Sequence, residues 1–314
     1  MKVVFIGASQ FGLKCLSAIN NFNYCQVVGV VTAPKKFSIS YQPEGVENVL
    51  HADFDSLSKS YDIPCITIDN GMKDDTLFEL VCSWRPDIFL VVGWYHLIPK
   101  RWREFAPTYG LHASILPDYS GGAPLVWAMI NGEEKTGITF FQFNDGVDSG
   151  PIVGQAKTNI TVDDTIASLY ERIERLGLNL IVDYLPKLAD HSVVLTNQDE
   201  SKRRIFPQRK PADGIIDWNR TAIEIFNFVR AQSKPYPGAY TMWQGEQIKI
   251  WNALPYDCTD SLSIQCGEVL IDTDKTIVMT KQGLLEIKEA SINDQNFNGY
   301  ELRRVIGDKT ILGK

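Results

Sequence analysis

The chain of 314 residues has little of what builds a metal centre or a disulfide scaffold. Its four histidines, His51, His96, His112 and His191, are widely spaced and form no ligand pattern, so no metal is expected. Its six cysteines, Cys15, Cys25, Cys65, Cys82, Cys258 and Cys266, contain no Cys-x-x-Cys pair. The first apolar run, Val3 to Ile6, is too short for a secretory signal, and polar residues follow at once. Buried or free thiols in a reducing, cytoplasmic compartment are therefore expected. No stretch approaches the ~20 apolar residues of a membrane-spanning helix, and no membrane partner is expected. Basic residues are also few: 31 Lys and Arg stand against 38 Asp and Glu, a net charge of −7. A chain with this balance is poorly suited to gripping RNA or DNA through its overall field.

What is present is a globular composition, 44% hydrophobic and 22% charged, in a length that suits two domains. The charge is unevenly placed. Residues 1–200 hold 15 basic and 24 acidic groups, a net of −9, whereas residues 201–314 hold 16 and 14, a net of +2. The asymmetry points to two parts with different tasks. A segment rich in charge and proline supplies the boundary, giving an N-terminal domain over 1–196, a linker over 197–212 and a C-terminal domain over 213–314.

Val3 to Ile6 reads as a strand ending at Gly7, followed by a helix in which Phe11, Cys15, Leu16 and Ile19 recur at helical spacing. Val27–Thr32 and Cys65–Ile68 read as strands, Thr76–Ser83 as a helix burying Leu77, Leu80 and Val81, and Gly137–Phe143 as a further strand. Ile88–Val92 (IFLVV) is wholly apolar, as in the middle of a parallel sheet. This alternation predicts an α/β fold: an open, mostly parallel sheet with helices on both faces. Ligands of such sheets lie at the carboxyl ends of the strands. Ala33 to Val46 reads as a long polar loop beside that crevice. Asp164 or Thr165 caps a long helix reaching about Leu185, with an apolar stripe of Ile166, Leu169, Tyr170, Ile173 and Leu176. Past the linker, a short helix over Thr221–Ala231 precedes short strands at Gly238–Trp243, Ile248–Trp251, Gly267–Ile271, Thr276–Thr280 and Leu284–Ile287, the spacing of a small, partly closed barrel. Val27–Thr32 and the barrel strands are the expected surfaces for a homodimer.

Three stretches carry chemistry. Gly7-Ala8-Ser9-Gln10-Phe11-Gly12 is neither G-x-G-x-x-G nor a phosphate loop. It reads first as a tight turn, and second as a helix N-terminus from which Ser9 and Gln10 meet a substrate. His112 stands at a strand end before a loop rich in Gly and Pro, where a general base belongs. His96, in Trp94-Tyr95-His96, reads as packing or pocket lining. In Asn144-Asp145-Gly146-Val147-Asp148-Ser149-Gly150, both aspartates suit a turn, and one of them is the natural orienting partner for an imidazole. No Gly-x-Ser-x-Gly elbow points to a hydrolase triad. Residue types alone stop at a His–Asp acid–base site of unknown reaction.

At these residues the chain resembles the 10-formyltetrahydrofolate-dependent formyltransferases, a family that includes methionyl-tRNA formyltransferase and the sugar N-formyltransferases. His112-Ala113-Ser114-Ile115-Leu116-Pro117 is similar to the family's His-x-Ser-Leu-Leu-Pro signature. Ala123-Pro124, Asn131-Gly132-Glu133, Thr136-Gly137-Ile138-Thr139 and Val147-Asp148-Ser149-Gly150 follow in the family's order. Phe5-Ile6-Gly7 with Phe11, and Val91-Val92 through Pro99-Lys100, resemble its first strand and its central strand and turn. Asp213-Gly214, Asp217-Trp218, Arg230-Ala231 and Pro237-Gly238-Ala239 resemble its smaller C-terminal domain. The ordered set spans nearly the whole chain.

The resemblance implies a Rossmann-like domain followed by a small OB-like β-barrel. It implies 10-formyltetrahydrofolate as formyl donor, lying in the crevice along Trp94, Leu97, Ile98, Leu116, Asn144, Asp145, Gly146 and Val147. It makes His112 and Asp148 catalytic and turns Ser9, Gln10, Ser114, Gly121 and Gly122 toward the acceptor. Two positions depart from the family. Gly110 stands where the family has Asn, and Ser120 where it often has Arg. An Asn at 110 would donate to the developing oxyanion, and losing such a donor costs roughly 10²–10³ in rate. Ser114, nearby backbone N–H groups and an ordered water are the replacement candidates, and Gly110→Asn is expected to raise the rate if a donor is missing.

For the acceptor, the acidic N-terminal part argues against tRNA, because phosphate contacts dominate such affinity. Only Lys35 and Lys36 are basic in the loop over 33–46, and Lys202 to Lys210 (KRRIFPQRK) is the single basic cluster, read as a solvated linker, as a diphosphate contact, or as an RNA contact if the acceptor is tRNA. The primary amine of a nucleotide-linked amino sugar is the expected acceptor. Methionyl-tRNA is the first alternative, and a folate- or nucleotide-sugar-binding homologue with impaired catalysis the second.

Overall fold

A computed structural model describes residues 1–39, 42–69, 71–257, 265–270, 274–307 and 310–313. It divides into two compact units, the first holding Met1–Gly121, Gly137–Thr158 and Arg172–Ile205, the second Gly122–Thr136, Asn159–Glu171 and Phe206–Lys314.

The first unit opens with β1 (Lys2–Gly7), in which Val3, Val4, Phe5 and Ile6 are all fully buried, so both faces of the strand are covered. Helix α1 (Gln10–Ile19) begins at Ser9, whose Oγ accepts the Gly12 N–H at 3.2 Å. There follow β2 (Gln26–Thr32), β3 (Lys36–Ile39), β4 (Gln42–Glu47), α2 (Phe54–Ser60), β5 (Cys65–Thr67), α3 (Asp75–Ser83), β6 (Ile88–Val92), α4 (Lys100–Phe105), β7 (Thr108–His112) and the short β8 (Ser120–Gly121). Past α5 (Pro124–Ile130), in the second unit, come β9 (Lys135–Gln142) and β10 (Ile152–Asn159). Helix α6 (Ile166–Ala189) gives its residues from Arg172 onward to the first unit, where Ile173, Ile181, Leu185 and Leu188 are buried.

The seven-stranded sheet runs β10-β9-β7-β6-β1-β2-β5. Strands β1, β2, β5, β6 and β7 are parallel, whereas β9 is antiparallel to β7. The IFLVV strand lies between β1 and β7 with every residue buried. Val4, Ile6, Phe89 and Val91 pack with Leu77 and Val81 of α3 and Trp102 of α4. On the opposite face of β1, Phe5 stacks on Phe54 of α2 with ring centroids 6.0 Å apart. Helices therefore cover both faces, as the alternation predicts.

Three readings are corrected. Leu80, expected in the core, is 46% exposed, because the buried stripe of α3 runs through Leu77 and Val81. The polar loop expected over 33–46 contains an antiparallel hairpin, β3–β4, anchored by Phe37 against Tyr95 and His96 at centroid distances of 5.6 and 4.9 Å. Strand β2, expected as an interface, is an inner strand between β1 and β5, paired to β5 over Val30–Thr32, and mostly buried.

Cys15 and Cys25 are buried, and desolvation pushes both thiols up, Cys25 to about 11. Cys258 lies outside the described residues. Among the described residues no group of His, Cys, Asp and Glu could hold a metal ion, and no helix is long and apolar enough to cross a membrane.

After β11 (Ile205–Phe206), the second unit continues with α7 (Ala222–Gln232), against which α5 packs. Thr221 and Glu224 form a capping box at its start. An antiparallel sheet follows: β12 (Ala239–Trp243), β13 (Glu246–Tyr256), β14 (Thr276–Met279), β15 (Leu284–Ile292) and β16 (Gln295–Asn298), ordered β12-β13-β15-β14 with β16 also on β15. With α7 and α8 (Gly299–Ile306) it encloses a core including Ile225, Val229, Ile248, Ile250, Leu285, Ile287 and Leu302. This is the half-barrel the short runs predict, with β13 and β15 longer than expected. The run expected at Gly267–Ile271 forms only isolated bridges at Glu268 and Val269, and Ile271 lies outside the described residues.

Candidate active site

His112 is the last residue of β7, which pairs with β6 through Thr108, Tyr109 and Gly110 and so carries His112 past the paired stretch. The chain then turns through Ser114, Leu116 and Pro117 and returns at Tyr119. One buried hydroxyl organises this turn. Thr139 Oγ1 donates to the Ser114 C=O at 2.7 Å and accepts from the Leu116 N–H at 3.1 Å and Gln155 Nε2 at 2.9 Å. The returning backbone offers the Tyr119 carbonyl oxygen to His112 Nε2 at 2.8 Å. A carbonyl only accepts, so Nε2 carries the hydrogen and Nδ1 is the basic nitrogen of the neutral ring. Nδ1 faces Asp148 Oδ2, 3.6 Å away.

Asp148 comes from the loop after β9. Its backbone is left-handed, with φ +49°, an uncommon conformation for a residue with a Cβ. Asn144 Oδ1 opens the loop by accepting the Gly146 N–H at 3.0 Å and the Ser149 hydroxyl at 2.8 Å. Asp148 Oδ2 also accepts the Gly121 N–H at 2.8 Å. The two residues singled out from sequence, 36 positions apart, thus meet at one carboxylate oxygen.

The other expected residues are placed as follows. Ser9 is buried and caps α1, while exposed Gln10 donates from Nε2 to the His51 C=O at 3.1 Å. Ser114 is buried, and its single hydroxyl hydrogen donates to the Asp118 C=O at 2.7 Å; that hydrogen is not free for an oxyanion. Leu116 and Ile98 are buried, Trp94 is half-buried, and Leu97 and Val147 are 84% and 52% exposed. Exposed Asp145 accepts from Arg103 at 2.8 Å and has Lys100 at 3.9 Å; the arginine hydrogen bond and then the lysine charge hold its carboxyl below the usual range. Gly121 has φ +92°. Gly122 belongs to the second unit, where a Cβ would sit 2.5 Å from the Gln208 backbone, so its lack of a side chain serves that close approach.

At Gly110 a Cβ would lie 2.6 and 2.7 Å from Cε1 and Cζ of Phe143 and 2.9 Å from the Val91 carbonyl oxygen. Residues 110 and 112 of one strand face the same way. The Phe143 ring therefore fills the space that a side chain beside His112 would take.

The formyl transferase model matches residues 1–185, and the model of the formyl transferase C-terminal domain matches residues 209–300. The chain belongs to the formyl transferase family. Methionyl-tRNA formyltransferase of Alkaliphilus oremlandii is 28% identical over 322 residues, covering 100% of both chains. An N-formyltransferase from Helicobacter canadensis, solved with folinic acid and dTDP-3-aminofucose, superposes with a TM-score of 0.65 at 17% identity, covering 95% of this chain and 100% of that one. HypX from Aquifex aeolicus, solved with tetrahydrofolic acid, gives a TM-score of 0.62 at 18% identity, covering 98% of this chain. This chain spans about half of HypX, 47% of its length.

In this formyltransferase most of the basic residues of these segments have acidic partners, and Arg209 has polar and aromatic ones. Lys35 and Lys36 lie 2.9 and 3.8 Å from Glu47 of their own hairpin. Lys202 pairs with Asp199 at 3.0 Å, Arg203 with Glu200 at 2.6 Å, and Arg204 with Asp118 through two bonds of 2.6 and 2.7 Å. Arg209 donates to the Asp213 C=O and to Gln232 and stacks over Trp127 and Phe228.

His96 is held between Phe37 and Trp94, at 4.9 and 5.4 Å between centroids. Its Nε2 and the Trp94 Nε1 are buried without a partner among the described residues. Burial holds the His96 pKa below its ordinary value. The unfolded chain thus takes up a proton at about 6.5 before the folded one does, so His96 lowers stability as pH falls through that value. In urea unfolding at about pH 7.5 and 5.5, His96→Phe should show a smaller loss of midpoint on acidification than the parent.

Proposed function

We propose that this formyltransferase moves the formyl group of 10-formyltetrahydrofolate to the primary amine of a nucleotide-linked amino sugar. The observation that carries the catalytic half is His112, with Nε2 bound to the Tyr119 carbonyl and Nδ1 toward Asp148. The donor fits the chain on two counts: exposed apolar Leu97 and Val147, and Trp94 Nε1 and His96 Nε2 in the segment after β6, which have no partner among the described residues. When bound, it supplies the formyl carbon as electrophile. The residues here do the proton work. An ammonium group is not a nucleophile, so a proton must leave the acceptor nitrogen, and His112 Nδ1 is the atom that takes it. The imidazolium so formed points its new N–H at Asp148 Oδ2, which stabilises the charge. Tyr119 keeps the ring in the tautomer that leaves Nδ1 free.

A nucleotide-linked amine is favoured over tRNA because the lysines of the hairpin and the arginines near 203 already have acidic or backbone partners in the chain. The full-length similarity to methionyl-tRNA formyltransferases favours tRNA as the second reading. Single-turnover transfer from 10-formyltetrahydrofolate to a panel of amino-sugar nucleotides and to charged initiator tRNA separates the two. Transfer to tRNA alone overturns the sugar reading. Folate binding with no transfer to any amine leaves a binding homologue.

A further inference from the structure

We propose that Gln198 and Arg203, in the segment that reads as a linker, are positioning residues that hold Asp148 in place to serve His112. The inference rests on the catalytic reading of Asp148 given above. Gln198 Nε2 donates to the backbone carbonyls of Asp148 at 2.8 Å and Gly150 at 2.6 Å. Its Oε1 accepts from Arg203 Nη2 at 3.0 Å. Arg203 Nη1 donates to Ser120 Oγ at 2.5 Å and lies 3.3 Å from the carbonyl oxygens of both Val147 and Asp148. Its Nε and Nη2 hold Glu200 at 2.6 and 2.7 Å. A guanidinium has five N–H donors, and here each has an acceptor. The Arg203 side chain is 9% exposed although its partner Glu200 is 61% exposed, so this cation is turned inward.

What it grips is the strained part of the site. Asp148 keeps a left-handed backbone, which persists only where its surroundings over-determine it. Its carbonyl is held by Gln198 and Arg203, and its carboxylate by the Gly121 N–H. Ser120, next to Gly121, is held by the same guanidinium. One cation therefore ties together the two segments that meet at Asp148 Oδ2, the oxygen His112 Nδ1 faces. Without it the backbone at 148 is free to relax to a right-handed conformation, which carries the carboxylate away from the imidazole.

The test uses Arg203→Ala, Arg203→Lys and Gln198→Leu in the full chain, with amide hydrogen exchange at Gly121 and steady-state formyl transfer as readouts. Arg203→Ala should speed Gly121 exchange at least tenfold while leaving β1 and β6 amides unchanged, because the acceptor of that N–H moves away. It should lower kcat by roughly 10²-fold, the effect of misplacing a reacting group by about an ångström, with KM for the amine little changed. Arg203→Lys should recover part of kcat, since a lysine keeps the charge but not the fork. In an Asp148→Asn background, Arg203→Ala should cost almost nothing more. Unchanged Gly121 exchange, a kcat within twofold of the parent, or full additivity with Asp148→Asn overturns the proposal. Exchange needs no substrate, so it judges the clasp even if the parent formylates no amine, an outcome that would sink the functional reading alone. If Arg203→Ala does not fold, Gln198→Leu, which leaves the cation in place, is read by the same measures.

Discussion

Replacing His112 with asparagine should lower single-turnover formyl transfer by roughly 10²–10⁴-fold, the usual worth of a positioned general base, while the thermal unfolding midpoint should shift little. Asparagine presents an amide to Tyr119 but has no nitrogen that accepts a proton at neutral pH. Asp148→Asn should give a loss of the same order by a different route. The Gly121 N–H and His112 Nδ1 address the same oxygen, Oδ2, at 2.8 and 3.6 Å. In the variant the amide oxygen keeps the Gly121 hydrogen bond, so the loop holds its shape and the imidazolium loses only its counter-charge. The loss should therefore appear in kcat more than in KM. Near-parent rates in both variants, with the proteins folded, would remove this pair from the chemistry.

Gly110→Asn should lower both stability and turnover, whereas the sequence allows a gain in rate if an oxyanion donor is missing. The family's asparagine has no room here. The new Cβ meets the Phe143 ring at 2.6 Å and the Val91 carbonyl at 2.9 Å. The ring cannot step aside easily, because it stacks on Phe141 at 4.9 Å and packs on the core between the sheet and α3–α4. Overpacking of this kind costs about 1–3 kcal/mol, visible as a lower urea midpoint. Phe143→Ala introduced into Gly110→Asn should recover part of both losses. A rise in rate from Gly110→Asn alone, at unchanged stability, would show that Phe143 does not hold that space. The comparison also bears on the oxyanion donor. Ser114 is committed to Asp118 and the Gly121 N–H to Asp148, which leaves water or other backbone N–H groups for the role.

The alternation of β1, α1 and β2 and the buried IFLVV strand were legible because apolar periodicity is written in side chains. His112 was legible from its place at a strand end; of the two turn aspartates, Asp145 and Asp148, only the family resemblance singled out Asp148. The β3–β4 hairpin was not legible: β3 is only four residues long and β4 is mostly polar, and the pairing between them, the lysine contacts to Glu47 and the Phe37 anchor are tertiary features with no long apolar run to mark them. The antiparallel entry of β9 beside β7 also leaves no local trace, since pairing direction is a property of the tertiary fold. Gln198 and Arg203 were hidden most completely. What they hold of the 147–150 loop is backbone carbonyls, which every residue has, so a charged and proline-containing stretch reads as a spacer while it grips a loop 50 residues upstream. Tyr119, which fixes the His112 tautomer through its carbonyl, escapes for the same reason.

The two buried thiols of the first unit have a practical consequence. Cys15 and Cys25 are sealed in the core, and their raised pKa values keep them protonated at neutral pH, whereas only a thiolate attacks an electrophilic label. Alkylation of these two positions must wait for the protein to open. Each substitution discussed above thus carries its own clock: the slow labelling of Cys15 and Cys25, resolved by mass spectrometry, reports how often the first unit opens, independently of any assay for formyl transfer.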